Sequence, residues 1–314
     1  MKILFASSAE IGSTVLKDFQ EQLSAQHQVV GLITSPDKIS GRGRELRPNP
    51  FLQSLGSTML PIFKPKTHEE LNQCLTEIAP DLVVTVAYGR LIKSRELSLP
   101  KYGWLNLHFS LLPRWRGAAP VQYAIWNGDP ETGVTVFKLD EGLDTGAIYS
   151  QKSLKIEDSD TTVNLLEKLA KIGVPALIDA VSMVEAGLSP AAQPQTLSTL
   201  APKIAKQSGE IDWNQSAEYL DRQIRAFTYW PGTWSYFRGT KLAIVSAKRS
   251  PLNLEKLTPG QIAVDEKILV CCGQGALELI RVKAEGKKEM SAQEWIRGVQ
   301  NRESLRFEPL VDKV

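Results

Sequence analysis

The sequence predicts an α/β fold in two parts, a doubly wound, Rossmann-like N-terminal domain followed by a smaller β-barrel domain. Three observations carry this. Strand-like and helix-like patterns alternate from residue 2 to 186, the order that makes right-handed parallel βαβ units the default. Residues 187–195, Gly-Leu-Ser-Pro-Ala-Ala-Gln-Pro-Gln, are rich in turn formers and read as a linker. Short β-like runs separated by glycine turns then crowd between 233 and 284, the pattern of a small barrel. The expected division is 1–187 for the first domain, 188–206 for the connector and 207–314 for the second domain.

The elements follow in order. Residues 2–7 are a buried-type strand, and Val15, Leu16, Phe19 and Leu23 recur at helical spacing. Residues 28–34 supply a second strand, and a long structureless loop is expected over 34–50. A short strand at 60–63 and a helix at 69–79 lead to 81–88, the most continuous β pattern in the chain. Such a run belongs at the centre of a sheet, covered on both faces. A strand at 104–108, a helix at 121–126, a strand at 133–140 and a helix at 161–186 complete the domain. In the second domain a helix at 217–227 precedes β-like runs at 233–237, 241–248, 260–264, 268–272 and 276–284.

Composition bounds the function. A chain of 314 residues with 42% hydrophobic and 23% charged residues is ordinary for a soluble globular protein of two domains. The formal net charge of +2 is too small to announce a nucleic acid by itself, so such a partner must be met by local patches. Three cysteines, two of them adjacent, argue against a disulfide framework and for a reducing, cytoplasmic setting. Three scattered histidines and no Cys-x-x-Cys pair leave no metal site to expect. No apolar run reaches membrane length, and the N-terminus has no signal-peptide pattern. The first strand runs into Ala6-Ser7-Ser8-Ala9-Glu10-Ile11-Gly12, which lacks the Gly-x-Gly-x-x-Gly phosphate turn, and Gly41-Arg42-Gly43 lies in the wrong context. Neither a nicotinamide nor a flavin cofactor is expected.

The chemistry concentrates between 104 and 146. Asn106 and His108 alternate with Leu105 and Leu107, so the two polar side chains share one face of a strand. Pro113, Gly117 and Pro120 then stop regular structure. A lone strand histidine is more often a hydrogen-bonded core residue. Here, however, the strand at 133–140 runs into Glu141-Gly142-Leu143-Asp144-Thr145-Gly146. If the two strands lie side by side in a parallel sheet, both loops open at one carboxyl edge, and Asp144 can orient His108.

Asn106-x-His108, the run Ser110-Leu111-Leu112-Pro113-Arg114-Trp115-Arg116-Gly117-Ala118-Ala119-Pro120, Glu131-Thr132-Gly133-Val134-Thr135 and Gly142-Leu143-Asp144-Thr145-Gly146 together resemble the folate-dependent formyltransferase family. The Asn, His and Asp are shared across that family, and Arg114-Trp115-Arg116-Gly117 is more particular to its methionyl-tRNA branch. The resemblance runs over essentially the whole chain. It implies transfer of the formyl group of 10-formyltetrahydrofolate to the amino group of initiator methionyl-tRNA, by a monomer that needs no metal. It implies catalytic roles for Asn106, His108 and Asp144. It also implies folate contacts from Ser110, Leu111, Leu112 and Pro113, with Tyr88 and Gly89 walling the pterin pocket. The second domain is then an oligonucleotide-binding-like barrel facing tRNA, with Lys206 among its cations. The basic loop, with Lys38, Arg42, Arg44 and Arg47, grips the acceptor end. Arg90, Lys93 and Phe109 depart from the family pattern, which commonly has glycine after the histidine.

Formyl transfer to an amine needs a donor for the developing oxyanion and a route for the amine's proton. Asn106 can supply the donor, a role worth about 3 kcal/mol when one such group is removed. His108 can bond the same oxygen or protonate the leaving nitrogen, and Asp144 can orient it and help remove the amine's proton. A formyltransferase acting on a sugar-nucleotide amine, a formyl-folate hydrolase and a catalytically silent RNA-binding protein are the rivals. The basic loop and full barrel speak against the first two, and the complete Asn-His-Asp set speaks against the third.

Overall fold

The computed structural model describes residues 1–40, 45–252, 254 and 256–309. They form two compact units: one comprises Met1–Pro120, Glu131–Lys155 and Leu166–Pro202, the other Val121–Pro130, Ile156–Leu165 and Lys203–Val314.

The first unit is built on a seven-stranded sheet. Its chain order is β1 (Lys2–Ser7), α1 (Ile11–Gln22), β2 (Gln28–Ile33), β3 (Lys38–Ser40), β4 (Glu45–Arg47), α2 (Pro50–Leu55), β5 (Ile62–Phe63), α3 (His68–Ile78), β6 (Leu82–Val86), α4 (Ser94–Ser98) and β7 (Trp104–His108). β8 (Glu131–Lys138), β9 (Ile148–Lys155) and α6 (Thr162–Glu185) from Leu166 onward complete it, while α5 (Pro120–Asn127), apart from Pro120, and the first turn of α6 are counted in the second unit. The strand order is β5-β2-β1-β6-β7-β8-β9. β1 and β6 are central because their middles are apolar and covered on both faces: Ile3, Leu4, Phe5 and Leu82, Val83, Val84 have no exposed surface. Val15, Leu16 and Phe19 give α1 its buried stripe. α3 starts where Thr67 accepts a hydrogen bond from Glu70 N, with Glu69 and Glu70 in the first turn, and ends at Ala79 in the left-handed region.

The five strands from β5 to β7 pair in parallel, but β8 is antiparallel to β7, with His108 opposite Thr135 and Leu105 opposite Lys138. β9 is antiparallel to β8. The parallel arrangement expected for β7 and β8 is therefore corrected. The expected structureless loop at 34–50 contains a small antiparallel hairpin, in which β3 and β4 pair Lys38 with Arg47 and Ile39 with Leu46. Strands of three residues are too short to show a period.

α6 lies behind β7. A Cβ on Gly173 would stand 2.8 Å from Leu107 Cδ2, closer than real carbons approach. Leu107 points away from the face that carries Asn106 and His108, so the glycine lets the helix close on the back of the strand.

The second unit holds a six-stranded antiparallel sheet, with β10 (Thr233–Phe237), β11 (Thr240–Ser250), β14 (Ala276–Ala284), β13 (Ile268–Cys271) and β12 (Ile262–Val264) in that order, and β15 (Met290–Ser291) on β14. α7 (Ala217–Ala226) precedes it and α8 (Ala292–Arg297) follows β15. Residues 305–308 join its two edges. Ile262 N donates to Leu305 O and Phe307 N to Gly260 O, while Glu308 N donates to Tyr236 O, each at 2.9 Å. This is the barrel-like closure that removes free edges. Trp213 stacks on Phe307 at 4.9 Å inside it.

Replacing Gly173 with valine should overfill the α6–β7 contact and destabilise the fold by about 1–3 kcal/mol. Urea titration followed by circular dichroism would show a lowered midpoint; an unchanged midpoint would mean that the helix can shift freely over Leu107.

Candidate active site

β7 presents Asn106 and His108 on one face at its carboxyl end. Its neighbour β6 pairs Thr85 with Asn106 in register. Thr85 Oγ1 lies 2.7 Å from Asn106 Oδ1, so the amide oxygen is held and the Nδ2 hydrogens are left to donate elsewhere. Sequence reasoning missed Thr85; the signal is a hydroxyl interrupting an otherwise apolar buried strand.

His108 is buried, with 5% of its surface exposed. Its Nε2 is 2.9 Å from the Trp115 carbonyl. A carbonyl only accepts, so Nε2 carries the hydrogen. In the neutral ring Nδ1 is then an acceptor, and it faces Asp144 Oδ2 across 3.7 Å, too far for a direct hydrogen bond. The contact that orients the imidazole is thus the Trp115 carbonyl, and Asp144 stands off from the ring. Burial pushes His108 below its ordinary value of 6.5, against smaller upward pulls from the Asp144 charge and the Trp115 carbonyl. The imidazole is neutral at physiological pH.

Asp144 arrives by an unexpected route. β8 runs antiparallel to β7 and ends beside Leu105, at the edge of the sheet opposite to the end that carries His108. The loop between β8 and β9 must double back over the sheet face to bring Asp144 to the histidine. Its carboxylate is caught there by Gly117 N–H, at 2.8 Å from Oδ2. Gly117 sits at φ +122°, and a Cβ on it would lie 2.7 Å from Ala201 O, so only glycine fits. Residues 199–201, expected within the connector, run beside this segment. Trp115 N donates to Thr199 Oγ1 at 2.9 Å, Arg116 N to Thr199 O at 2.9 Å, and Ala201 N to Arg116 O at 2.7 Å.

The loop after β7 is tied down from within. Ser110 is fully buried, and its Oγ donates to Arg114 O at 2.6 Å. Thr135 Oγ1 donates to Ser110 O at 2.7 Å and accepts from Leu112 N at 3.0 Å. Leu112 and Pro113 are buried, while Leu111 is half-buried against Gly133, where a Cβ would come within 2.5 Å of it. Of the four expected folate contacts, Leu111 keeps part of its side chain at the surface.

Gly89 is exposed at the carboxyl end of β6, at φ +72° with open space where a Cβ would stand. The Tyr88 ring instead packs in the core with Leu4, Ile33, Leu71, Leu75 and Trp104, and burial pushes its phenol up. Phe109 is buried, and Arg90 Nη1 donates to Pro65 O at 2.7 Å. Among the expected tRNA contacts, Arg42 and Arg44 lie outside the described residues, and for Lys38 the backbone alone is described, as part of β3. Arg47 is exposed at the end of β4. Lys206, in the second unit, is exposed at the start of a short 3₁₀ turn, Lys206–Gly209. Among the described residues no three His, Cys, Asp or Glu side chains gather to hold a metal ion, and no helix is long and apolar enough to cross a membrane.

Residues 1–181 match the model of the formyl transferase family, and residues 203–300 match that of the formyl transferase C-terminal domain. The chain belongs to the formyl transferase family. It is 40% identical to the methionyl-tRNA formyltransferase of Streptomyces avermitilis over 303 residues, 95% of this chain and 97% of that one. It is 38% identical to that of Corynebacterium diphtheriae over 316 residues, 97% and 99% of the two chains. Solved structures share the fold at lower identity. HypX from Aquifex aeolicus in complex with tetrahydrofolic acid superposes with a TM-score of 0.66 at 16% identity, covering 99% of this chain and 51% of that one. WlaRD, a sugar 3N-formyl transferase, superposes with a TM-score of 0.64 at 19% identity, covering 92% of this chain and 99% of that one.

The buried His108 makes the stability of this formyltransferase pH-dependent with a definite sign. As the pH falls through about 6.5, the unfolded chain takes up a proton on this histidine that the fold resists. Stability should therefore be flat above that value and fall below it, by at most about 1.4 kcal/mol per pH unit from this group. Thermal melts from pH 8 to 5 should show a shallower acid loss in His108→Gln than in the wild type; parallel curves would mean that His108 charges freely in the fold.

Proposed function

We propose that this chain transfers the formyl group of 10-formyltetrahydrofolate to the amino group of initiator methionyl-tRNA, as a cytoplasmic monomer. One observation carries the chemistry: a buried His108 whose Nδ1 faces an anchored carboxylate, beside an amide donor on the same strand. The choice of tRNA as acceptor is supported by relatives that align end to end at 37–40% identity and are methionyl-tRNA formyltransferases. The sugar-modifying structures share the fold at under 25% identity.

The residues fit the co-substrate. Gly89, open at the end of β6, and Leu111, half-buried in the next loop, offer a rim for the folate ring, while Ser110, Leu112 and Pro113 hold that loop in shape. Bound there, the folate supplies an activated formyl group on a nitrogen leaving group. Asn106 Nδ2 donates to the formyl oxygen as negative charge develops on it. His108 Nδ1, the free acceptor of the ring, takes the proton from the attacking amine. Asp144, 3.7 Å away, stabilises the imidazolium, because an opposite charge at that distance favours the protonated ring. His108 then returns the proton to the leaving nitrogen. The phosphate backbone of tRNA is assigned to Lys38, Arg42, Arg44, Arg47 and Lys206, and to the second unit as a whole. Charge contacts of this kind make the affinity fall with salt.

The test is single-turnover transfer of labelled formyl to methionyl initiator tRNA. His108→Ala and Asp144→Asn should each lose several hundredfold or more in rate. Asn106→Asp, which replaces a donor by an acceptor, should lose about 100-fold or more, from about 3 kcal/mol of oxyanion stabilisation. Formyl transfer by the wild type to an amino sugar and not to tRNA would overturn the acceptor assignment, and tRNA binding without turnover would overturn the enzyme.

A further inference from the structure

Asp144 is held at two points, and the second lies in a segment whose sequence reads as a connector. Arg116 is buried, with 5% of its surface exposed, one residue before the glycine that binds the Asp144 carboxylate. Its Nε and Nη2 donate to Gln193 Oε1 at 3.1 and 2.7 Å. Gln193, itself 6% exposed, uses its other end as well. Its Nε2 donates to the backbone carbonyls of Asp144 and Gly146, at 2.9 and 2.7 Å. The orientation of this amide is forced, because a guanidinium can only donate and a carbonyl can only accept.

The loop it grips has reason to relax. Asp144 lies at φ +51°, in the left-handed region that side chains other than glycine rarely adopt. Two residues on, a Cβ at Gly146 would overlap Lys138 O, so the backbone is pressed against the end of β8. A carboxylate tethered through Gly117 N–H alone can swing as the main chain moves. Capture of the carbonyls on both sides of Thr145 removes that freedom.

We infer that Gln193, oriented by Arg116, is a positioning residue for the formyl transfer proposed above, holding the Asp144 backbone so that the carboxylate stands opposite His108 Nδ1. The inference rests on that reading of the site. Gln193 touches no reacting atom and acts through Asp144. Misplacing a catalytic group by about 1 Å costs on the order of 100-fold in rate, and the loss falls on the chemical step while substrate binding is untouched.

Gln193→Glu separates the two ends of the relay. A glutamate still accepts from Arg116 but cannot donate to the Asp144 and Gly146 carbonyls, whereas Gln193→Ala loses both. Wild type, Q193E and Q193A are compared in single-turnover transfer from 10-formyltetrahydrofolate to methionyl-tRNA, with KM for each substrate and a thermal melt. The expected result is a fall of about 100-fold in rate for both variants with each KM within about twofold, and a Tm closer to wild type in Q193E. Wild-type rate in Q193E would overturn the inference, because Gln193 would then serve only to accompany a buried arginine. Should Q193A fail to fold, Q193E alone decides. Failure of the wild type to transfer formyl at all would instead overturn the proposed function.

Discussion

The geometry of the candidate site depends on one hydrogen bond, from Gly117 N–H to the Asp144 carboxylate. β8 descends antiparallel to β7, so the loop that carries Asp144 begins at the wrong end of the sheet and has to fold back across it. Folding back costs backbone entropy, of order 1–2 kcal/mol for each residue fixed, and something must hold the loop at its far point. Gly117 does so, and it is itself placed by the ladder between 115–119 and 199–201. A segment from late in the chain therefore decides where a carboxylate from the middle of it can stand.

Electrostatics follow from this anchoring. A buried imidazole beside a carboxylate would ordinarily be drawn toward the charged form. Here the carboxylate spends one oxygen on a backbone N–H and stops at 3.7 Å from the ring, and burial outweighs its pull on His108. The histidine stays neutral, which the proton-acceptor role proposed for it requires, and the carboxylate proposed as its counter-charge already stands opposite Nδ1. The same arrangement defines the tautomer, because the Trp115 carbonyl claims the Nε2 hydrogen and leaves Nδ1 as the acceptor. The tautomer of His108 and the stand-off of Asp144 are thus set by two backbone groups, a carbonyl and an N–H, on either side of Arg116.

Local patterns in the sequence resolve local structure well. The period-two alternation at 104–108 placed Asn106 and His108 on one face, and the apolar run at 81–88 marked the central strand, observed as Leu82–Val86. The long helix expected at 161–186 forms over Thr162–Glu185, and the short β-like runs after 233 form the antiparallel sheet of the second unit. What local pattern does not encode is direction and partnership. Alternation in 133–140 says that a strand is there but not which way it runs beside β7. The Ala- and Pro-rich stretch at 187–195 reads as a connector because its hydrogen-bond partners lie some fifty to eighty residues away, at Asp144, Gly146 and Arg116. Tyr88 shows the opposite limit: its place just past the end of β6 is legible, but the ring turns into the core.

Part of the backbone strain in the chain lies around the candidate site. Ala87 after β6, Trp115 after β7 and Asp144 between β8 and β9 all adopt left-handed backbone at φ +47°, +62° and +51°, each costing on the order of 1–3 kcal/mol for a residue with a side chain. The three loops follow β7, which carries Asn106 and His108, and its two neighbours β6 and β8. Glycine at these positions would relieve the conformational cost, yet two of the three supply groups the site uses: the Trp115 carbonyl to His108 and the Asp144 carboxylate to Gly117. A glycine could still present the carbonyl, but it would loosen the turn that aims it, and it would remove the carboxylate altogether. The strain is therefore retained where the geometry needs it and opposed by buried hydrogen bonds of about 0.5–1.5 kcal/mol each. Stability and the proposed reactive geometry draw on the same few contacts, so under that proposal a change that relaxes these loops gains stability at the expense of the chemistry.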